Sequence, residues 1–289
     1  MVKVVRSIAI CAISVGFTLS IAWAQTYTTI DYPGAVSTTI NGGPNVEGTS
    51  IGSYTDSAGV THGFKLTAFG HFTAFDPPGS TATTPNFISP DGTIVGGYLD
   101  ASGVSHGFVL SGGRYRNVDF PGAAGTQITG LNPQGEMTGF FCTDPACAAK
   151  PFQGFIVSRH GQFTAFNPPG ATSSQASTIN LLDAIVGAFD SGGVTHGYLF
   201  FLGHYVTIDY PGGNFTFAGG NNLQGDIVGA WRDTSNVFHS FLLRNGHFTS
   251  FDPPGTVGFS DATGINLEGT IVGLYSDAAG VLHGFIRKP

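Results

Sequence analysis

Apolar residues along the chain fall in short alternating runs, not in helical stripes. Near the C-terminus the runs read "DATGIN", "GTIVGLY" and "VLHGFI", and a fourth type reads "HFTSFDPPG". Each is rich in Val, Ile, Phe, Thr and Tyr and is bounded by Gly, Pro, Asn or Asp, which are strand and turn signals. "SDAAG" joins a second run to a third and "RNG" joins a third to a fourth. Both suit hairpins in which Gly supplies a positive φ. Outside the N-terminal segment no apolar period of 3.6 residues is sustained, so strands alone are predicted.

The runs recur. Aligning the third run places His62, His106, Gln153, His196, His239 and His283 in one column, with steps of 44, 47, 43, 43 and 44 residues. Asp31, Asp76, Asp119, Asn167, Asp209 and Asp252 form a second column, mostly in "D-x-P-G" or "DPPG". A Gly two residues before an aromatic forms the third, from Gly52/Tyr54 through Gly139/Phe141 and Gly229/Trp231 to Gly273/Tyr275. Six copies of four strands, each about 43 residues long, match the blade length of a β-propeller. The competing architecture, a linear solenoid, needs polar end caps, and the sequence has no distinct capping repeat. The repeats begin with a fourth-type strand, "TYTTIDYPG", and end with a third-type strand, "VLHGFIRKP". Together they complete one blade, with Tyr27–Asp31 beside His283–Ile286, which covers an open edge. The expectation is an all-β, six-bladed β-propeller of four-stranded blades with N-/C-terminal strand-exchange closure, a single domain over residues 25–289.

The stretch "TGINLEGTIVGLYSDAAGVLHGF" resembles the HAF family of extracellular repeats, whose pattern has G-I-N, then G-x-[IV]-V-G, then H-A-F. The resemblance extends over nearly the whole chain after residue 24. Gly, or Ser240 in the fifth copy, stands where the family prefers Ala. It implies an exported repeat protein and a propeller, and it supplies no reaction.

Export is also read from the first residues. Lys3 and Arg6 precede an apolar stretch that ends in Ala22-Trp23-Ala24, the layout of a cleavable signal peptide over residues 1–24. The apolar run is short for a membrane span of about 20 residues, so no membrane insertion is expected once the signal is removed. Charged residues are only 10% of the chain, against roughly 25% in ordinary soluble domains. Losing Lys3 and Arg6 leaves 9 cations against 18 acids, a formal charge of −9. With no basic cluster, nucleic acid is a poor partner. Cys142 and Cys147 in "CTDPAC" have no His or further Cys beside them, so in an oxidising compartment they read as a disulfide, not a metal site. The localisation expected is secreted, extracellular or periplasmic, and the protein is expected to be a monomer.

The repeated histidines invite a chemical reading. In alternating strands His106 shares a face with Phe108 and Leu110, which predicts at least half-buried imidazoles satisfied by backbone groups of a neighbouring blade. The adjacent Gly63 or Gly107 lets the next sheet approach closely. The His strand lies third from the axis, about 10 Å outside the innermost strand, too far apart around the ring for shared chelation. The Asp column reads as turn chemistry, with Ca²⁺ between Asp56 and Asp76 as the competing reading. No G-x-S-x-G, H-E-x-x-H, P-loop or C-x-x-C motif occurs, and Glu is limited to Glu47, Glu136 and Glu268. No catalytic residue, metal or cofactor is therefore assigned.

The third copy breaks the pattern most. It carries Gln153 for His, the swollen loop "CTDPACAAKPF", Glu136, Phe141 and Lys150, and it follows "GRYRNVDF" with Arg114 and Arg116. Trp231 in the fifth copy is a second anomaly. Arg116, Phe141, Lys150 and Trp231 are the candidate ligand contacts, on the face that carries the insertion. The function expected is a non-catalytic binding or interaction module for a glycan or protein. The alternative is an extracellular propeller enzyme acting on a glycan or lactone-like substrate. A cluster of non-repeated carboxylates in the central channel would favour the enzyme.

Overall fold

A computed structural model describes residues 25–289; the expected signal segment, residues 1–24, lies outside the described residues. The described residues form twenty-four strands and no helix. Blade 1 runs outward from the axis as Ser37–Gly42, Ser50–Thr55, Thr61–Leu66 and Phe72–Phe75. Blades 2 to 5 begin at inner strands Ala82–Ile88, Gly125–Leu131, Ser173–Ile179 and Phe215–Asn221. Blade 6 has inner strand Ser260–Ile265, then Ile271–Ser276 and Leu282–Lys288. Its outer strand is Thr26–Ile30 from the other end of the chain, with Tyr27 opposite Arg287 and Ile30 opposite Gly284. Strand-exchange closure is thus present, and the six-bladed propeller reading holds.

The second strands explain the apolar "IVG" runs. Ile94–Leu99 is buried at five consecutive positions, because neighbouring blades cover both faces. Outer strands such as Phe72–Phe75 bury far less. Phe64, Phe108, Phe155, Tyr198, Phe241 and Phe285, two residues after the His column, are fully buried. The glycine between them serves close packing. A Cβ on Gly107 would lie 2.4 Å from the Val118 carbonyl and 2.7 Å from Ile128 of the next blade. In blade 5 Ser240 replaces this Gly and hydrogen-bonds buried Ser260 of blade 6.

All six inner strands carry a register shift at the same place, between Ile40 and Gly42 in blade 1 and between Ala262 and Gly264 in blade 6. A bulge re-aims the extra residue. Here that residue ties one blade to the next around the axis. Asn41 donates to the Pro85 carbonyl at 2.9 Å, Asn86 to Ile128 at 2.8 Å, Thr129 to Ala176 at 2.8 Å and Thr263 to Ile40 at 2.9 Å. This girdle joins four of the six blade junctions. The corresponding residues of blades 4 and 5 are Ser177, whose Oγ has no partner, and Gly219, which has no side chain to donate.

Candidate functional site

Strands in each blade alternate in direction, so the second-to-third hairpins and the fourth-to-first "DPPG" connections share one face. The inserted loop of blade 3 lies on this insertion face, with Cys142 and Cys147 joined as a disulfide. Inner strands start here and end at the opposite face.

On the insertion face the repeated histidines are each clasped by carboxylates of their own blade. His62 Nδ1 lies 2.7 Å from Asp76 of the "DPPG" turn, and its Nε2 lies 3.5 Å from Asp56 of the hairpin. His106 lies 3.0 Å from Asp119 and 3.5 Å from Asp100, and His283 lies 2.7 Å from Asp31 and 3.4 Å from Asp277. His239 repeats the pattern with Asp252 and Asp233, while His196 meets Asp209 alone. This corrects the expectation of backbone partners in a neighbouring blade. The third-strand register places the ring at the blade's end, where its side chain keeps 20–26% exposure. The Asp56–Asp76 pair that suggested Ca²⁺ meets on an imidazole. The Asp76 hydrogen bond raises the pKa of His62 above its ordinary value. For His106 and His283 partial burial opposes charging, but two carboxylates more than offset it and the pKa is raised. Backbone N–H donors, Val60 first for Asp56, hold Asp56, Asp100, Asp233 and Asp277 below the usual carboxylate range, with the histidines adding to the effect.

The four candidate contacts separate. Phe141 stacks on Phe120 at 4.0 Å and Trp231 on Tyr210 at 3.9 Å, as Tyr54 stacks on Tyr32 at 3.7 Å. Both therefore occupy a repeated aromatic position. Trp231 also donates to Ser250 Oγ at 2.9 Å. Arg116 is exposed on the outer strand of blade 2. Lys150 forms an ion pair with Asp190 of blade 4 and lines a cavity of about 190 Å³ with Gln175 and Phe217. Glu136 returns to its own turn, where it accepts from Asn132 Nδ2 at 3.2 Å.

Gln175 and Phe217 lead to a larger cavity that the candidates missed. It occupies the insertion-face half of the central channel, about 380 Å³, lined by Thr84, Gln127, Gln175, Ser177, Phe217 and Asp261 among others. Thr39, Thr84, Gln127, Gln175, Phe217 and Asp261 hold one column of the inner strands, each just before the residue opposite the second-strand Gly. Asp261 is thus a carboxylate where the other blades place a hydroxyl, an amide or an aromatic. Its Oδ1 and the Oγ of Ser177 are two of five buried side-chain atoms without a hydrogen-bond partner among the described residues. Leaving such an atom unpaired costs about 1–3 kcal/mol. Burial pushes the Asp261 carboxyl up to about 7. Counting Asp residues as turn residues hid Asp261; aligning the inner strands as a column would have exposed it.

The opposite mouth is different. A cavity of about 260 Å³ there is ringed by Val46, Pro90, Pro133, Leu181, Leu223 and Leu267, one from each blade's first turn. Its asparagines are spent on neighbouring blades: Asn45 donates to the Ser89 carbonyl, Asn180 to Asn222 and Asn222 to Asn266. This collar is repeated architecture. Among the described residues no cluster of three or more His, Cys, Asp or Glu side chains could hold a metal ion.

No protein-family model and no curated protein matches the chain. Solved structures do resemble it. A mutant of AofleA from Arthrobotrys oligospora superposes with a TM-score of 0.57 at 13% identity, covering 91% of this chain and 86% of that one. Aleuria aurantia lectin in complex with α-methyl-L-fucoside gives 0.54 at 11% identity, covering 88% and 93%. A catalytically inactive virginiamycin B lyase from Staphylococcus aureus with quinupristin gives 0.53 at 11% identity, covering 92% and 99%. At these identities the likeness shows the fold, a six-bladed β-propeller as in the Aleuria lectin.

Proposed function

We propose that this protein is an exported, non-catalytic carbohydrate-binding module that takes its ligand in the insertion-face half of the central channel. The observation that carries this is the lining of that cavity. The Gln175 amide, the Thr84 hydroxyl and one carboxylate line a space of about 380 Å³ beside the Phe217 ring, with Ser177 and Gln127, whose amide donates to Ser105 Oγ, completing the wall. That volume falls within the range of small-molecule sites, roughly 300–1,000 Å³. Convergent polar groups beside an aromatic face suit a sugar, which offers hydroxyls at its edge and C–H bonds on its ring faces. Glycoside cleavage uses a pair of carboxylates flanking one bond, and the channel cavity is lined by Asp261 alone among acids, which supports binding over turnover. The fucose-complexed lectin neighbour adds support by analogy of fold. We further propose that the chain belongs with the HAF-type exported repeats, and that Lys150, whose cavity shares Gln175 and Phe217 with the channel, flanks the ligand.

The test is a glycan array probed with the mature protein, residues 25–289, beside Phe217→Ala. Phe217 is partly exposed and lies outside the apolar clusters that pack the neighbouring blades, so its loss should leave them packed. Retention of defined glycans by the parent and its loss in the variant is the expected result. Retention unchanged by Phe217→Ala moves the site elsewhere. No retained glycan, or a ligand converted to product, overturns the reading.

A further inference from the structure

The channel site contains an acid that no described residue pairs with a counter-charge. Among the described residues Asp261 is the one ionisable side chain lining its cavity, and no Lys, Arg or His lines either half of the channel. Its Oδ1 is sealed from solvent and accepts no hydrogen bond. Elsewhere in the molecule buried acids are answered: Asp226 receives Arg244 at 2.6 and 3.0 Å, and the clasp acids receive histidine. The neutral residues in the Asp261 column show that the fold does not require an acid there. Burial without a counter-ion disfavours the charged carboxylate, and this one is pushed up to about 7.

The neighbouring residues add a second, independent sign. The inter-blade girdle fails at Ser177 of blade 4 and at Gly219 of blade 5, the latter against the inner strand that carries Asp261. Ser177, nine-tenths buried, leaves its Oγ unpartnered in the same cavity. On blade 5, the column position beside Asp261 is the Phe217 ring, whose face attracts cations. A carboxylate and an aromatic wall thus stand on adjacent blades at one side of the channel, while Ser177 and the Gln175 amide stand together on blade 4.

We propose that the ligand of this channel carries a protonated amine, held by Asp261 against Phe217, so that the carbohydrate recognised is a free amino sugar of the deacetylated glucosamine type. This rests on the carbohydrate reading above. The ammonium pairs with the Asp261 carboxylate from the cavity side, and the sugar hydroxyls meet the Gln175 amide and the Thr84 hydroxyl. Below neutral pH the ammonium displaces the proton of Asp261 into solvent, so that charge is conserved on binding.

Calorimetric titration at about pH 6 with oligomers of glucosamine, N-acetylglucosamine and glucose separates the outcomes, with cadaverine as a non-sugar amine. The glucosamine oligomer is expected to bind about tenfold or more tightly than either neutral oligomer, as a charge-assisted hydrogen bond exceeds a neutral one. Asp261→Asn should erase that difference. It should also melt at or above the parent temperature, since the unbalanced acid is gone, which excludes misfolding as the cause. Equal binding of charged and neutral oligomers, or a preference unchanged in Asp261→Asn, overturns the amine while leaving the carbohydrate site standing. Cadaverine binding without any sugar binding does the reverse. No binding of any of the four overturns both.

Discussion

In blade 1 the imidazole of His62 stands between Asp56 and Asp76, joining the hairpin to the outer strand. In blade 3 Gln153 and Asn167 occupy the corresponding positions and line a cavity of about 240 Å³ with Phe141 and Cys142. The blade is tied by other means. The Cys142–Cys147 bond closes the loop, Ser105 of blade 2 donates to the Pro145 carbonyl at 2.7 Å, and Lys150 reaches Asp190 of blade 4. Blade 4 shows the cost of this exchange: its Asp190 turns to Lys150 and Thr195, and His196 keeps one carboxylate. A clasp fastens a blade to itself, whereas the insertion fastens blade 3 to both neighbours. The irregular blades 3 and 4 thus themselves supply the channel wall that carries Gln127, Gln175 and Ser177.

The severest break of the comparison is in blade 6, where the clasp and the outer strand both come from the far end of the chain. Deleting residues 25–34 removes Asp31 from His283, uncovers fully buried Phe285 and opens the edge of Leu282–Lys288. Total stability of a domain is about 5–15 kcal/mol. Loss of about 4 kcal/mol or more of this should lower the melting temperature by about 10 °C or more. A deletion that melts with the parent shows that closure contributes nothing.

Next in size is removal of one clasp. His239→Ala loses contacts to Asp233, Asp252 and the Trp231 ring, 5.0 Å between centroids. It should cost about 1–3 kcal/mol, with carboxylates left facing each other. Gln153→His alone should gain less than about 0.5 kcal/mol, because Asn167 offers no charge. Gln153→His with Asn167→Asp should exceed the sum of the single changes. Thermal melts of the four variants decide this, and additivity would mean that the pair forms no clasp.

The sequence made the ring legible because its markers are local: a Gly before an aromatic, a "DPPG" turn and a His strand recur in every blade or nearly so. Closure was legible because two incomplete strand sets stood at the ends. The clasp was less so. Its three members lie 6 and 14 residues apart in blade 1, and only strand register reveals that both acids meet one ring. Trp231 and Phe141 read as anomalies through their residue type, though each filled a repeated column. Asp261 was hidden by the opposite error, since its residue type matched the common turn acids while its position did not.

The acid–base balance gives a third and smaller contrast. The raised pKa values of His62, His106 and His283 contribute stability that is complete below about 6.5, the unfolded value, and is lost as pH rises through the folded values. The depressed Asp56, Asp100, Asp233 and Asp277 contribute stability above about 3.9, lost as pH falls through their folded values. Asp261 runs with the histidines: raised to about 7, its contribution is complete below about 3.9 and is lost as pH rises through 7. Melting temperature should therefore peak near about pH 4–5 and decline through neutrality. Asp261→Asn should remove the decline below about pH 7, and replacing the three histidines with Gln should flatten what remains above it. A peak at pH 8 would contradict both assignments.

The smallest effect belongs to the disulfide. Cys142 and Cys147 are 5 residues apart, so the loop that they close is short, and chain-entropy reasoning allows about 2 kcal/mol at most. Much of that loop's order survives reduction. Asp144 accepts from the backbone of Ala148 at 2.6 Å and Ala149 at 3.3 Å, and the ties of Pro145 to blade 2 and Lys150 to blade 4 do not involve sulfur. Buried Cys142 keeps a contact to the Gly125 carbonyl as a thiol. Reduction should thus shift the melting temperature by no more than a few degrees, less than His239→Ala. It should leave the neutral-sugar affinity of the channel within about twofold, because Lys150 stays anchored by Asp190. Should reduction instead lower the melting temperature more than loss of a clasp, the disulfide replaces the missing histidine in energy as well as in position, and blade 3 ceases to be the loosely fastened member of the ring.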